Sequence, residues 1–152
     1  MFVLTSAFVL GFACGLRALV GLAAVSWAAS TQHLSLQGSW LSFLGNRITS
    51  YVCSALAVGE VINDKLPKTP SRLVPPQFAA RVVIGAVAGL AIGLAHENVV
   101  MGAVAGIAGS VVGTLAGAKG RAYTAKLFRG HDLPAALLED VLAIAIALVA
   151  LR

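Results

Sequence analysis

The chain has 152 residues, of which 59% are hydrophobic and only 11% charged, with a mean hydropathy of +0.90. These values lie well outside the range of soluble globular domains. They imply one integral membrane domain over residues 1–152, and the net charge of +5, which in a soluble chain would point to nucleic acid, is explained first by membrane topology.

The first element is the apolar stretch from Phe2 to Ala29, read as a single span over 3–29. It has no positive leading segment and exceeds the length of a signal-peptide core, so it is expected to be retained, with the protein beginning at Met1. Arg17 sits near its middle. An arginine at bilayer depth costs about 3 kcal/mol on insertion scales unless it finds a partner or a water-filled cavity, which makes it a site hypothesis.

The connector STQHLSLQGS carries no formal charge unless His33 is protonated, and Trp27 and Trp40 flank it as interfacial tryptophans. The second span, 40–62, contains Asn46, Arg47, Thr49, Ser50, Tyr51 and Ser54, and is expected to face the protein interior or an aqueous vestibule. Arg47, nearer the outer end, is placed to snorkel. Glu60 ends this span and Asp64 follows one turn later, on the same face if the helix continues.

Pro67, Pro70, Pro75 and Pro76 then stop the helix, because each removes a donor and restricts its predecessor. Lys65, Lys68 and Arg72 make this a stiff basic connector, read as a topology anchor, as a gate or as a contact to anionic lipid headgroups. The third span, 79–96, opens with Arg81, the fourth covers 99–118, and the fifth, 133–151, carries Glu139 and Asp140 about two turns in. Each of the five is close to the roughly 20 residues a crossing needs.

Gly85, Gly89 and Gly93 recur every four residues, as do Gly109, Gly113 and Gly117, with Gly102 and Gly106 before them and Gly11 and Gly15 in the first span. That spacing puts glycines on one helix face, where backbones can approach closely. Basic residues gather in the second connector and in the fourth, which holds Lys119, Arg121, Lys126 and Arg129. The positive-inside rule places those two connectors in the cytoplasm, the amino terminus inside and Arg152 outside. The expected fold is therefore an all-α polytopic bundle of about five spans.

On this topology Arg17, Glu60, Asp64, Arg81, Glu139 and Asp140 meet in the inner half of the bundle. Pairing Arg17 with Glu139 or Asp140 is the cheapest arrangement, with Arg81 as an alternative partner for either. If each arginine neutralises one acid, two carboxylates remain, to be protonated, hydrated or bound to a cation. Spare carboxylates suit a proton relay or an ion-coupled carrier; a static ion-pair network fixing helix register is the other reading.

Cys14 and Cys53 fall inside spans, as small packing residues or as a pair across a helical hairpin, and without clustered histidines they make a poor metal site. His33, His96 and His131 lie in or beside loops. No nucleophile motif, phosphate loop or metal-spaced histidine pair is present, so neither an enzyme nor a cofactor is expected. A weak internal echo relates Arg17–Gly21 to Arg81–Gly85 and Gly59–Leu66 to Gly120–Leu127. Duplicated bundles are common among transporters, but five spans do not divide evenly.

GLRALVGL in the first span, GEVINDKLPKTPSRL after the second, FAAR opening the third and LLEDVLAI in the last resemble a family of small bacterial integral membrane proteins, domain of unknown function 4126. The likeness covers nearly the whole chain and is most specific in DKLPKTPSR. It implies a bacterial membrane location and a free-standing compact domain, and carries no functional residue with it.

The leading expectation is a small inner-membrane transporter or channel-like protein that moves an ion, proton or small charged solute through the buried charges. Membrane lipids and a second copy of the chain are the expected partners, with glycine faces forming helix contacts. A structural subunit of a larger membrane complex and an anionic-lipid-binding protein are the alternatives.

Overall fold

The computed structural model describes residues 1–65, 71–127 and 132–152. Among these the chain forms six α-helices and no strand: α1 (Phe2–Leu16), α2 (Ala18–Ser30), α3 (Arg47–Asn63), α4 (Pro75–Ala95), α5 (Val99–Leu127) and α6 (Asp132–Ala150), with a short 3-10 turn over Ser42–Gly45. Three of them, α4, α5 and α6, are long and apolar enough to cross a bilayer. Their outward residues are apolar, among them Val83, Val104, Val112, Leu137, Val141, Leu148 and Val149, as lipid contact requires. The protein is an all-α integral membrane protein.

The expected first span is two helices. Arg17 leaves helical geometry with φ −140° and ψ 104°, ending α1 and starting α2. The chain turns back on itself there: a Cβ placed on Gly21 would lie 3.5 Å from the Cα of Cys14. Seven residues of straight helix would separate them by about 10.5 Å. At 15 and 13 residues, α1 and α2 are each short of a full crossing.

Local contacts fix the directions of the helices. The ring of Phe2 meets His96 edge-on at 5.7 Å, at the end of α4, while Gly15 and Leu16 meet Arg81 near its start, so α1 runs against α4. Leu19 contacts Glu60 and Ser26 contacts Ser50, so α2 runs against α3. Asp140 meets Arg17, while Ile144, Ala147 and Leu148 share a crevice with Val20, Ala23 and Ala24, so α6 runs alongside α2. Both chain termini therefore lie at the His96 end, and the tip of the α1–α2 hairpin lies at the opposite end with Asp64, Arg72 and Arg121.

The expectation of five straight spans with termini on opposite faces gives way to this arrangement. Hydropathy could not separate the two, because α1 and α2 are apolar on every face, as is a long buried span.

Glycine explains why α1, α4 and α5 pack so closely. A Cβ on Gly89 would come within 2.8 Å of the Cα of Gly106, and one on Gly102 within 2.7 Å of the Cα of Gly93. On the other side of α5, a Cβ on Gly113 would lie 3.0 Å from the Cα of Phe12. Real side chains do not tolerate such approaches, so the period-four glycines seat α4 and α1 against α5 within one chain. Cys14 and Cys53 are buried and free, in separate apolar clusters.

Candidate functional site

The break at Arg17 leaves backbone groups that no helix serves, and buried peptide groups need partners. Charged side chains from other helices supply them. Glu60, in the last turn of α3, accepts from the amides of Ala18 at 3.0 Å and Leu19 at 2.8 Å, the first two residues of α2. Arg81, in the second turn of α4, donates through Nη1 to the carbonyls of Gly15 at 3.1 Å and Leu16 at 2.7 Å, the last residues of α1. Thr114 of α5 adds a 3.2 Å hydrogen bond to the Gly15 carbonyl. Each charge matches the helix end it meets, a carboxylate at the positive amino end and a guanidinium at the negative carboxyl end. Glu60 and Arg81 also face each other, with Nη2 3.5 Å from Oε1.

Arg17 itself is wholly buried. Its Nε lies 2.6 Å from Oδ1 of Asp140 and its Nη1 2.8 Å from Oδ2 of Asp64. These are close contacts of opposite charge without hydrogen-bond alignment, and Nη2 has no hydrogen-bond acceptor among the described residues. Asp64 is shared with Arg121, and Asp140 with Lys65 at 2.8 Å. Glu139 turns the other way from its neighbour and takes both guanidinium ends of Arg72, the second at 2.8 Å.

All six residues expected at the site, Arg17, Glu60, Asp64, Arg81, Glu139 and Asp140, thus converge. The pairing differs in detail. Arg17 takes Asp140 but not Glu139, and adds Asp64; Arg81 takes Glu60. Nor are two carboxylates left spare: Lys65, Arg72 and Arg121 join, so each of the four acids has at least one cation. Arg72 is buried on Glu139 and Lys65 reaches Asp140, so both point inward instead of toward headgroups. Lys68 lies outside the described residues. Arg121, a topology charge by sequence, is the member the apolar pattern does not single out; its place one helical turn beyond Gly117 is the signal for it.

Burial tends to raise the Asp64 carboxyl, but Arg17 and Arg121 outweigh it and hold the group below its ordinary range. Two apolar crevices flank α6 and each ends at one of its acids. One, of about 220 Å³ between α1, α5 and α6, reaches Glu139 and Arg121; the other, of about 380 Å³ between α2, α3 and α6, reaches Asp140. The arrangement is a broken helix pair whose ends and tip are held by ionic side chains, with apolar access from two sides.

The family model described as Domain of unknown function (DUF4126) matches residues 4–152. The chain belongs to this family. Its match runs from α1 through α6, so the hairpin, the glycine contacts and the charge network all lie inside the family domain. No curated protein and no solved structure shows significant similarity to the chain.

Proposed function

We propose that this membrane protein is a small transporter or channel-like protein that moves an ion, proton or small charged solute past the tip of the α1–α2 hairpin. The observation that carries the reading is the helix break at Arg17, its four freed peptide groups held by Glu60 and Arg81 in place of helix partners. Non-helical backbone at membrane depth is stable only inside protein or along a cavity, and discontinuous helices are a recurrent way of building solute sites near the bilayer middle. Bonds between mobile side chains and helix ends can be exchanged for bonds to a solute, whereas continuous helices offer no such groups.

In this reading the Arg17 end faces the cytoplasm of a bacterial inner membrane, because Lys65, Arg72, Lys119, Arg121 and Lys126 gather there. Both termini then lie on the outer side, which replaces the inside amino terminus expected from five spans. A homodimer remains an expectation, but the glycine faces are already occupied within the chain and do not supply its interface.

The competing reading is a static membrane subunit, favoured by the full pairing of the four acids. Proteoliposomes under imposed pH and salt gradients separate the two. Transport predicts flux in the wild type that falls at least tenfold in a folded Glu139→Gln, Asp140→Asn variant. Equal, background-level flux from both under every gradient would favour the static subunit.

A further inference from the structure

Glu60 occupies a position built for an anion. The first two amides of α2 converge on its carboxylate at 3.0 and 2.8 Å, at the positive end of a thirteen-residue helix. One buried guanidinium stands at the same point, and a second belongs to the break residue itself. Arg81 is 5% exposed, holds Nη2 3.5 Å from Oε1 of Glu60 and has an Nε with no hydrogen-bond partner among the described residues. Arg17 immediately precedes the two amides, is 0% exposed and has an Nη2 with no acceptor among the described residues. The carboxylate that meets this positive charge comes from another helix, on a side chain that is 15% exposed and so is the least enclosed member of the group.

We infer that the α1–α2 break is a binding site for a small monovalent anion, and that Glu60 is a tethered competitor which fills the site and yields it when a soluble anion enters. A single negative charge matches what Glu60 supplies. A second would add to the negative charge of Asp64 and Asp140, which already contact Arg17. The donors are backbone amides and arginines, which bind halide and small carboxylate alike. The inference rests on the transport reading only in making that anion the solute carried; binding itself needs no gradient.

The test uses purified full-length protein exchanged into sulfate, whose second charge the site excludes, with bromide as the probe and binding followed by calorimetry and thermal unfolding. Wild type should bind bromide weakly, in competition with Glu60. Glu60→Ala should bind at least tenfold more tightly, or, if it is recovered folded only in bromide, show the same occupancy as rescue. Ala18→Pro in the Glu60→Ala background supplies the specificity control. It deletes one amide donor at the first helical position, which accepts proline, and follows a residue already extended at ψ 104°. It should weaken bromide binding roughly fivefold without altering any charge.

Glu60→Ala that ignores bromide, or that aggregates in both salts, overturns the inference. So does a wild type with no bromide response at any concentration, since Glu60 would then be a permanent cap. Bromide binding without anion flux would leave the site standing and remove the transport reading. Absent binding alongside proton or cation flux would do the reverse.

Discussion

Two regions hold this small bundle together by opposite means. Where α1 and α4 meet α5, side chains are withdrawn and backbones touch, so the contact depends on what glycine lacks. At the hairpin tip, long charged side chains from α3, α4 and α6 gather around the break, so the contact depends on what Arg17, Glu60 and Arg81 extend. The first kind of contact is rigid, since neither backbone can yield. The second is exchangeable, because each bond ends on a rotatable side chain.

The sharpest way to break the tip is Arg17→Gln, which removes the wholly buried cation shared by Asp64 and Asp140 and leaves them on the more exposed Arg121 and Lys65. Loss of a buried partner should cost about 3 to 5 kcal/mol, read as lowered stability in detergent unfolding. Neutralising Asp140 in addition should recover part of that loss; no recovery with either aspartate would contradict the pairing.

The glycine seam should break next. Gly106→Val drives a side chain into the α4 backbone at Gly85 and Gly89 and should cost roughly 1 to 3 kcal/mol by the same assay. Gly59→Ala sharpens the contrast, because nothing lies within 4 Å of the added carbon; it should be neutral or stabilise by about 0.5 kcal/mol.

Smaller effects separate geometry from charge at the tip. Arg72→Lys keeps the charge but loses the two-pronged grip on Glu139, and should cost about 1 kcal/mol. Asp64 gives a pH signature. Its carboxyl titrates below its ordinary value of 3.8 in the folded protein, so below that value the unfolded chain takes up the proton first and stability falls with pH. Asp64→Asn should flatten this acid limb in unfolding curves taken from about pH 6 downward; an unchanged limb would assign it to other acids.

The two regions were not equally legible from sequence. Period-four glycines announce close packing because the spacing and the missing side chain are both local, and Gly85, Gly89, Gly102 and Gly106 pack as that spacing implies. The six charges also converge as expected, because a charge in an apolar span has few places to go. Their partners were less visible: Arg17 meets Asp64 and Asp140 across separations set by the fold alone. The hairpin was least visible. Arg17 has neither proline nor glycine beside it to mark a turn, and the break is stabilised by Glu60 and Arg81, which are distant in the chain.

The folded-back hairpin underlies every other claim about the tip, and one cross-link tests it. With Cys53 replaced by serine, Gly21→Cys places a second thiol against Cys14, whose Cα lies 3.5 Å from the new Cβ. Mild oxidation in membranes should join the two quantitatively as an intramolecular disulfide. A continuous helix would hold their Cα atoms about 10.5 Å apart, beyond the reach of a disulfide, so two free, reactive thiols after oxidation would contradict the hairpin.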